Sequence, residues 1–388
     1  MYDWIIIGGG IHGCTVAAYL LKSGRTSIDN IRIIDPHDGP LHNWKRNTER
    51  IGMEFLRSPF VHHLDVHPFS LQKAAKSKGP LNFYGRYKRP SLSLFNEHSD
   101  TVLHETKLED AWVKGRVEDV TKEKETWKVH TETGRVINGR NIVISISLSE
   151  QLNIPEWAAK LQTESEHRIH HIFDPELPEM VSESMPLMVV GGGITAAHTS
   201  IKLSRLFPGK VTVLKRHPFR VHDFDSNPGW LGPKNMDSFL QLKDYEERRA
   251  AIGQARHRGS ITAELHARLN KLSREGSLTI ADGEVVSAES DPQGISLLLD
   301  TDVRIEAKSI ILATGFTPTM PQQEWLQKLI KRERLKCANC GYPVVEPSLE
   351  WCPHLYVTGP LAELEIGPVS RNIAGARKAA ERIVLNRM

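Results

Sequence analysis

Cysteine is scarce, with four in 388 residues, which excludes a disulfide framework and points to a reducing compartment. Long apolar runs are missing too. No stretch approaches the ~18 residues needed to span a bilayer, and 39% hydrophobic with 25% charged residues is ordinary for a soluble globular chain. Charge of one sign is also short: 50 Lys and Arg face 47 Asp and Glu, a formal +3, and the basic residues are spread along the chain. Neither nucleic acid nor a membrane is expected as a partner; small anionic ligands fit better. An apolar run begins at Trp4 with no charged segment ahead of it, so no cleavable signal is expected and the location is read as cytoplasmic. Homo-oligomerisation is left open. Two or three domains are expected, at roughly 100–200 residues each.

What is present is one pattern used twice. The buried-strand run Trp4-Ile5-Ile6-Ile7 leads into Gly8-Gly9-Gly10-Ile11-His12-Gly13 and a helical stretch over 14–22. Gly8, Gly10 and Gly13 have the spacing G-x-G-x-x-G: the first allows a tight turn, the second lets backbone approach a pyrophosphate, and the third lets helix pack on strand. A second strand, Ile31-Arg32-Ile33-Ile34-Asp35, ends on a carboxylate before Pro36, 22 positions after Gly13. That is near the ~20 expected for a residue that binds ribose hydroxyls. This βαβ unit opens the chain and is paired with another, which favours FAD as its ligand. The pattern restarts at Leu187-Met188-Val189-Val190 with Gly191, Gly193 and Ala196 in the three turn positions and Ile194 and Thr195 between them. Its second strand ends in Lys215 and Arg216, where an acid would suit a free 2′-hydroxyl; two cations suit a 2′-phosphate, so NADPH is preferred to NADH.

Between these units, residues 37–100 read as cofactor- and substrate-lining loops with short helices, 112–146 as a small antiparallel β insert, and 245–258 as a charged helix with a solvated face. A strand at 309–312 leads into Ala313-Thr314-Gly315-Phe316, and a strand at 355–359 precedes a closing helix over 369–385. Cys337, Cys340 and Cys352 read as free thiols, and no metal is expected. His62, His63 and His67 read as flavin or substrate contacts, or as surface loop.

The two glycine turns, the Ala-Thr-Gly-aromatic segment and the closing Thr358-Gly359 strand resemble the FAD/NAD(P) two-dinucleotide-binding oxidoreductases over essentially the whole chain. Met53-Glu54-Phe55-Leu56-Arg57-Ser58-Pro59 with Leu64-Asp65-Val66-His67-Pro68-Phe69-Ser70, and Phe224-Asp225-Ser226-Asn227-Pro228-Gly229-Trp230, are similar to loops of the lysine and ornithine N-hydroxylating flavin monooxygenases. The implied fold is α/β with two Rossmann-like domains: residues 1–180 and 308–388 for FAD, and 181–307 inserted for NADPH. The resemblance implies flavin contacts from Met53, Leu56, Arg57, Gly359, Gly367, Pro368 and Asn372, and catalytic roles for Arg57 and Asn227. It further implies a small-molecule substrate and dioxygen, with a nitrogen or sulfur taking one oxygen through a flavin peroxide. The stretch Lys88-Arg89-Pro90-Ser91-Leu92-Ser93-Leu94-Phe95 departs from that family and argues against a primary-amine amino-acid substrate. Two alternatives stay open: a reductase passing electrons to a quinone, disulfide or other acceptor, and a slow redox sensor holding both nucleotides.

Overall fold

Ile5, Ile6 and Ile7 are 0–3% exposed, the condition of a central parallel strand covered on both faces, where each such side chain contributes about 1.5–3 kcal/mol. The computed structural model, which describes residues 1–76, 82–163, 168–178 and 184–385, places their strand, Tyr2–Ile7, between Ile31–Asp35 and Val136–Ile144, parallel to both. Trp112–Lys114 and Leu355–Val357 extend the sheet in parallel, and Glu350–Cys352 adds an antiparallel edge. Val117–Glu123 and Thr126–Thr131 join Val136–Ile144 in an antiparallel meander, narrower than the insert expected over 112–146, because Trp112–Lys114 and Val136–Ile144 belong to the parallel sheet. Helices Ile11–Lys22 and Ile373–Leu385 pack together beside this sheet. The closing helix starts four residues later than read from sequence, because Gly367 turns the chain at φ 83° first.

A second sheet has the order Thr279–Asp282, Val211–Lys215, Leu187–Val190, Ser309–Leu312, Ile169–His171, all parallel. This corrects the expected boundaries. Ser309–Leu312, assigned above to the FAD domain, pairs with Leu187–Val190, and Ile169–His171 takes the far edge although it precedes 181. The chain therefore crosses between domains near 145–153 and 313–318, and the crossings bond to each other: Asn153 N–H donates to Gly315 O at 3.0 Å and Thr317 N–H to Gln151 O at 2.8 Å. A three-stranded antiparallel sheet, Val285–Ser290, Ile295–Leu299 and Arg304–Ala307, completes the second domain.

Two helices depart from expectation. Leu92–Glu105 runs fourteen residues, with Ser91 Oγ capping Leu94 N–H at 3.3 Å, so residues 37–100 hold more regular structure than their composition suggested. Tyr245–Ala255 is helical, yet its arginines are not solvated: the side chains of Arg248 and Arg249, and of Arg256 just beyond, are 11%, 21% and 12% exposed. Two buried glutamates draw them in. No helix among the described residues is long and apolar enough to cross a membrane.

Candidate active site

Gly8 stands at φ 104°, and a Cβ there would meet Ser145 O at 2.7 Å; one on Gly13 would meet Gly8 O at 1.8 Å. Only glycine allows that crossing of strand, turn and helix. Gly10 differs, since a Cβ there meets nothing within 4 Å: its open side faces a cleft. The helix beginning at Ile11 has no side-chain cap and no acid in its first turn, which leaves its leading N–H groups and positive dipole end to an anion. His12 adds a donor. Its Nδ1 lies 2.7 Å from Thr358 Oγ1 while Nε2 is buried without a partner, and burial pushes the ring down to about 4, keeping it neutral. Gly359 takes the left-handed conformation, φ 66°, that favours glycine, and lies behind the cleft wall, not on it. A diphosphate fits this cradle.

The second turn repeats the geometry. Gly191 is at φ 149° with Ala313 O 2.6 Å from a built Cβ, and Ala196 closes the helix against the turn. The helix Ile194–Leu206 again has no side-chain cap and no first-turn acid. Both turns open on one cleft of about 1620 Å³, lined by Gly10, Ile11, His12, Gly191, Gly193, Ile194 and Thr195. The Ala-Thr-Gly-aromatic segment forms part of its wall, Ala313 to Phe316, with Phe316 stacked on Phe173 at 5.3 Å and 9°. Met53, Arg57, Arg216, Pro368 and Asn372 also face it. Among the expected contacts, these are the ones the fold brings together.

Several others lie elsewhere. Asp35 does not line the cleft: Oδ2 accepts Gly9 N–H at 2.7 Å and Oδ1 accepts His37 N–H at 3.0 Å, so it braces the turn, with Pro36 following outside the cleft. Leu56 is 1% exposed inside the core, which corrects its reading as a flavin contact. Lys215 is corrected as well: its side chain is 7% exposed, paired with Asp282 and set over the Phe219 ring at 5.0 Å. A desolvated, neutralised ammonium has little left for a phosphate. Asn227 is exposed and caps Gly229 N–H at 2.8 Å, a turn-holding role. Gly367 faces Met236 Sδ, 3.3 Å from a built Cβ, and is buried behind the wall. Arg57 spends its guanidinium on His222 O at 2.6 Å, Phe224 O at 3.0 Å, Asp223 O at 3.2 Å, Ser260 Oγ at 2.9 Å and Asp225 at 2.5 Å, and so positions the 222–225 loop. His63 is fully buried, edge-on to His98 at 4.9 Å, and none of His62, His63 and His67 lines the cleft.

Sequence reasoning missed the basic rim formed by His217, Arg220, Arg256, His257 and Arg258, together with Gly259, whose Cα lies 3.4 Å from a built Gly193 Cβ. The run Arg256-His257-Arg258-Gly259 was the available signal. Burial pushes the Cys14 thiol up, and its Sγ donates to Gly9 O at 3.2 Å, so it is an inert core cysteine.

The FAD-NAD(P)-binding family model matches residues 5–148. No curated protein matches by sequence. Among solved structures, ornithine hydroxylase from Pseudomonas aeruginosa is similar with a TM-score of 0.77 and 18% identity, covering 99% of this chain and 98% of that one. The fold is that of the N-hydroxylating flavin monooxygenases. Ornithine N-hydroxylase from Kutzneria sp. 744, whose structure holds reduced FAD, NADP+ and L-ornithine, is similar at TM-score 0.77 and 15% identity over 100% of this chain and 98% of that one. The FAD-bound cadaverine monooxygenase of Erwinia amylovora is similar at 0.76 and 16%, over 100% and 95%. The likeness spans both domains and both crossings.

Proposed function

We propose that this chain is an FAD- and NADPH-dependent monooxygenase that places one atom of dioxygen on a nitrogen or sulfur of a small molecule. One NADPH, one proton, one dioxygen and one substrate give NADP+, water and the oxygenated substrate. The observation that carries this reading is the opening of both glycine turns on a single cleft, in a fold shared end to end with N-hydroxylating monooxygenases.

Flavin, when bound, supplies two-electron chemistry and oxygen activation. The chain's own part is to bind, orient and shield. The N–H groups at Ile11 and His12 would hold the diphosphate of FAD, and those at Ile194 and Thr195 that of NADPH. Arg216, 70% exposed and only loosely paired with Glu284 at 3.7 Å, is the cation for the 2′-phosphate. Phe173 and Phe316 keep part of the wall apolar, which excludes water from the reacting centre. His217, Arg220 and Arg258 on the rim favour a nucleotide over a neutral ligand.

The deciding measurement is oxygen uptake against NADPH consumption, with product analysis by mass. An oxygenated product in proportion to NADPH supports the proposal; NADPH oxidation that continues with a quinone under nitrogen, and yields no such product in air, replaces it with the reductase reading.

A further inference from the structure

Glu363 is fully buried, and three guanidinium groups converge on it: Arg249, Arg256 at 2.7 Å, and Arg371 at 2.7 and 3.0 Å. Two residues on, Glu365 holds Arg248 and Arg382, each at 3.0 Å. None of these five arginines has a further carboxylate among the described residues. Positive charge is therefore in excess behind this part of the cleft wall.

The excess reaches the cleft through Arg256 and Arg371, which both line it. Arg256 spends Nε on Pro368 O at 3.2 Å and Nη2 on Glu363. Arg371 spends Nε and Nη2 on Glu363 and the Tyr342 hydroxyl, the latter at 3.0 Å. Neither Nη1 has a hydrogen bond among the described residues, and neither is among the fully enclosed orphan atoms. Burial, then the nearby Arg371 and Arg249 charges, pushes Arg256 down to about 9. Cations desolvated without full compensation are costly, and a bound oxyanion that accepts from both guanidinium groups relieves that cost.

The dinucleotide phosphates already have their places at the two glycine turns, so this anion is a separate one. We propose that Arg256 and Arg371 receive a carboxylate or phosphate carried by the substrate, which makes that substrate an acid and not a diamine. The inference rests on the cleft being the flavin site.

The test uses the FAD-loaded protein and a five-carbon series: glutarate, glutaramide and cadaverine, with glycerol 3-phosphate as the phosphate arm. Binding is read from perturbation of the flavin absorbance. Glutarate or glycerol 3-phosphate is expected to bind, whichever does so identifying the anion type, while glutaramide and cadaverine bind at least tenfold more weakly. Arg371→Gln and Arg256→Gln should each weaken the preferred anion at least tenfold; Arg371→Lys, which keeps the charge, should retain more of the affinity. Arg382→Gln, on the outer glutamate, should leave it within threefold. Cadaverine binding as well as glutarate, absence of binding by both anions, or displacement of the anion by NADP+ overturns the inference. Protein that takes up no FAD is a different failure, that of the functional reading itself.

Discussion

Replacing Gly10 with alanine should separate folding from flavin binding. Gly10 has φ −78° and ψ −167°, an extended conformation open to any residue, and its added Cβ meets no atom within 4 Å. As an N-cap, glycine is worth only a few tenths of a kcal/mol to about 1 kcal/mol over alanine, so the apoprotein should melt where the parent does. The methyl group instead occupies the path of the diphosphate to the helix N-terminus. Two charge-assisted N–H bonds lengthened there lose about 1.5–3 kcal/mol each, and their loss corresponds to roughly two to four decades in Kd. FAD at 100 times the parent Kd stabilises the parent by about 2.7 kcal/mol; the variant should show almost none of this. The assay is the thermal midpoint with and without FAD, beside the flavin absorbance of purified protein. A yellow Gly10→Ala protein with an undiminished FAD-dependent shift refutes the reasoning. Gly13→Ala supplies the contrast, because a Cβ 1.8 Å from Gly8 O displaces the helix and lowers the apoprotein midpoint itself.

Arg216→Ala should raise KM for NADPH about tenfold with little change for NADH, whereas Lys215→Met should keep the coenzyme ratio and lower stability by about 1–3 kcal/mol; a shifted ratio in the lysine variant contradicts its burial against Asp282. Gly367→Leu should destabilise the fold, since φ 83° with ψ −161° is a backbone region all but confined to glycine, costing other residues about 1–3 kcal/mol, and Met236 stands in the way; an unchanged melting midpoint counts against this. Buried His98, His171 and His198 are pushed down to about 4, and His63 to about 3, chiefly by burial. Folded values below the unfolded ~6.5 mean that their stabilisation is complete above that pH and lost as pH falls toward 4. At pH 5 each loses about 2 kcal/mol, and four together rival a typical stability of about 5–15 kcal/mol. Circular dichroism should therefore show unfolding between pH 6 and 4.5, and native signal at pH 4.5 refutes it.

Local sequence carried the strands, both turns and the segment at 313–316, because a glycine turn between a buried strand and a helix is decided within a few residues. Asp35 was read at the right place in the chain, but its oxygens are already engaged by Gly9 and His37. Lys215 and Arg216 looked equivalent side by side; strand alternation turns one inward to Asp282 and leaves the other at the cleft. The arginine cluster was invisible because Arg249 and Arg256 meet Glu363 across 114 and 107 residues, and a helix rich in arginine reads as solvated until its buried acid is known. The domain boundaries failed for a similar reason. Ser309–Leu312 is followed directly by the return segment, and only its pairing with Leu187–Val190 shows which sheet owns it.

The two crossings lie side by side, bonded through Asn153–Gly315 and Thr317–Gln151 and bridged at Leu152 and Phe316. Covalently the nucleotide domain joins the first domain only along this short seam, while ion pairs such as Arg89 with Glu264, Arg268 with Glu54 and Arg256 with Glu363 tie the two together elsewhere. Arg57 adds to these links by reaching from the first domain to three successive carbonyls of the second, at 222–224. Any rotation that widens the cleft to admit or release a nucleotide has to undo these links together, so their combined strength, more than the seam's flexibility, sets how often the two domains part.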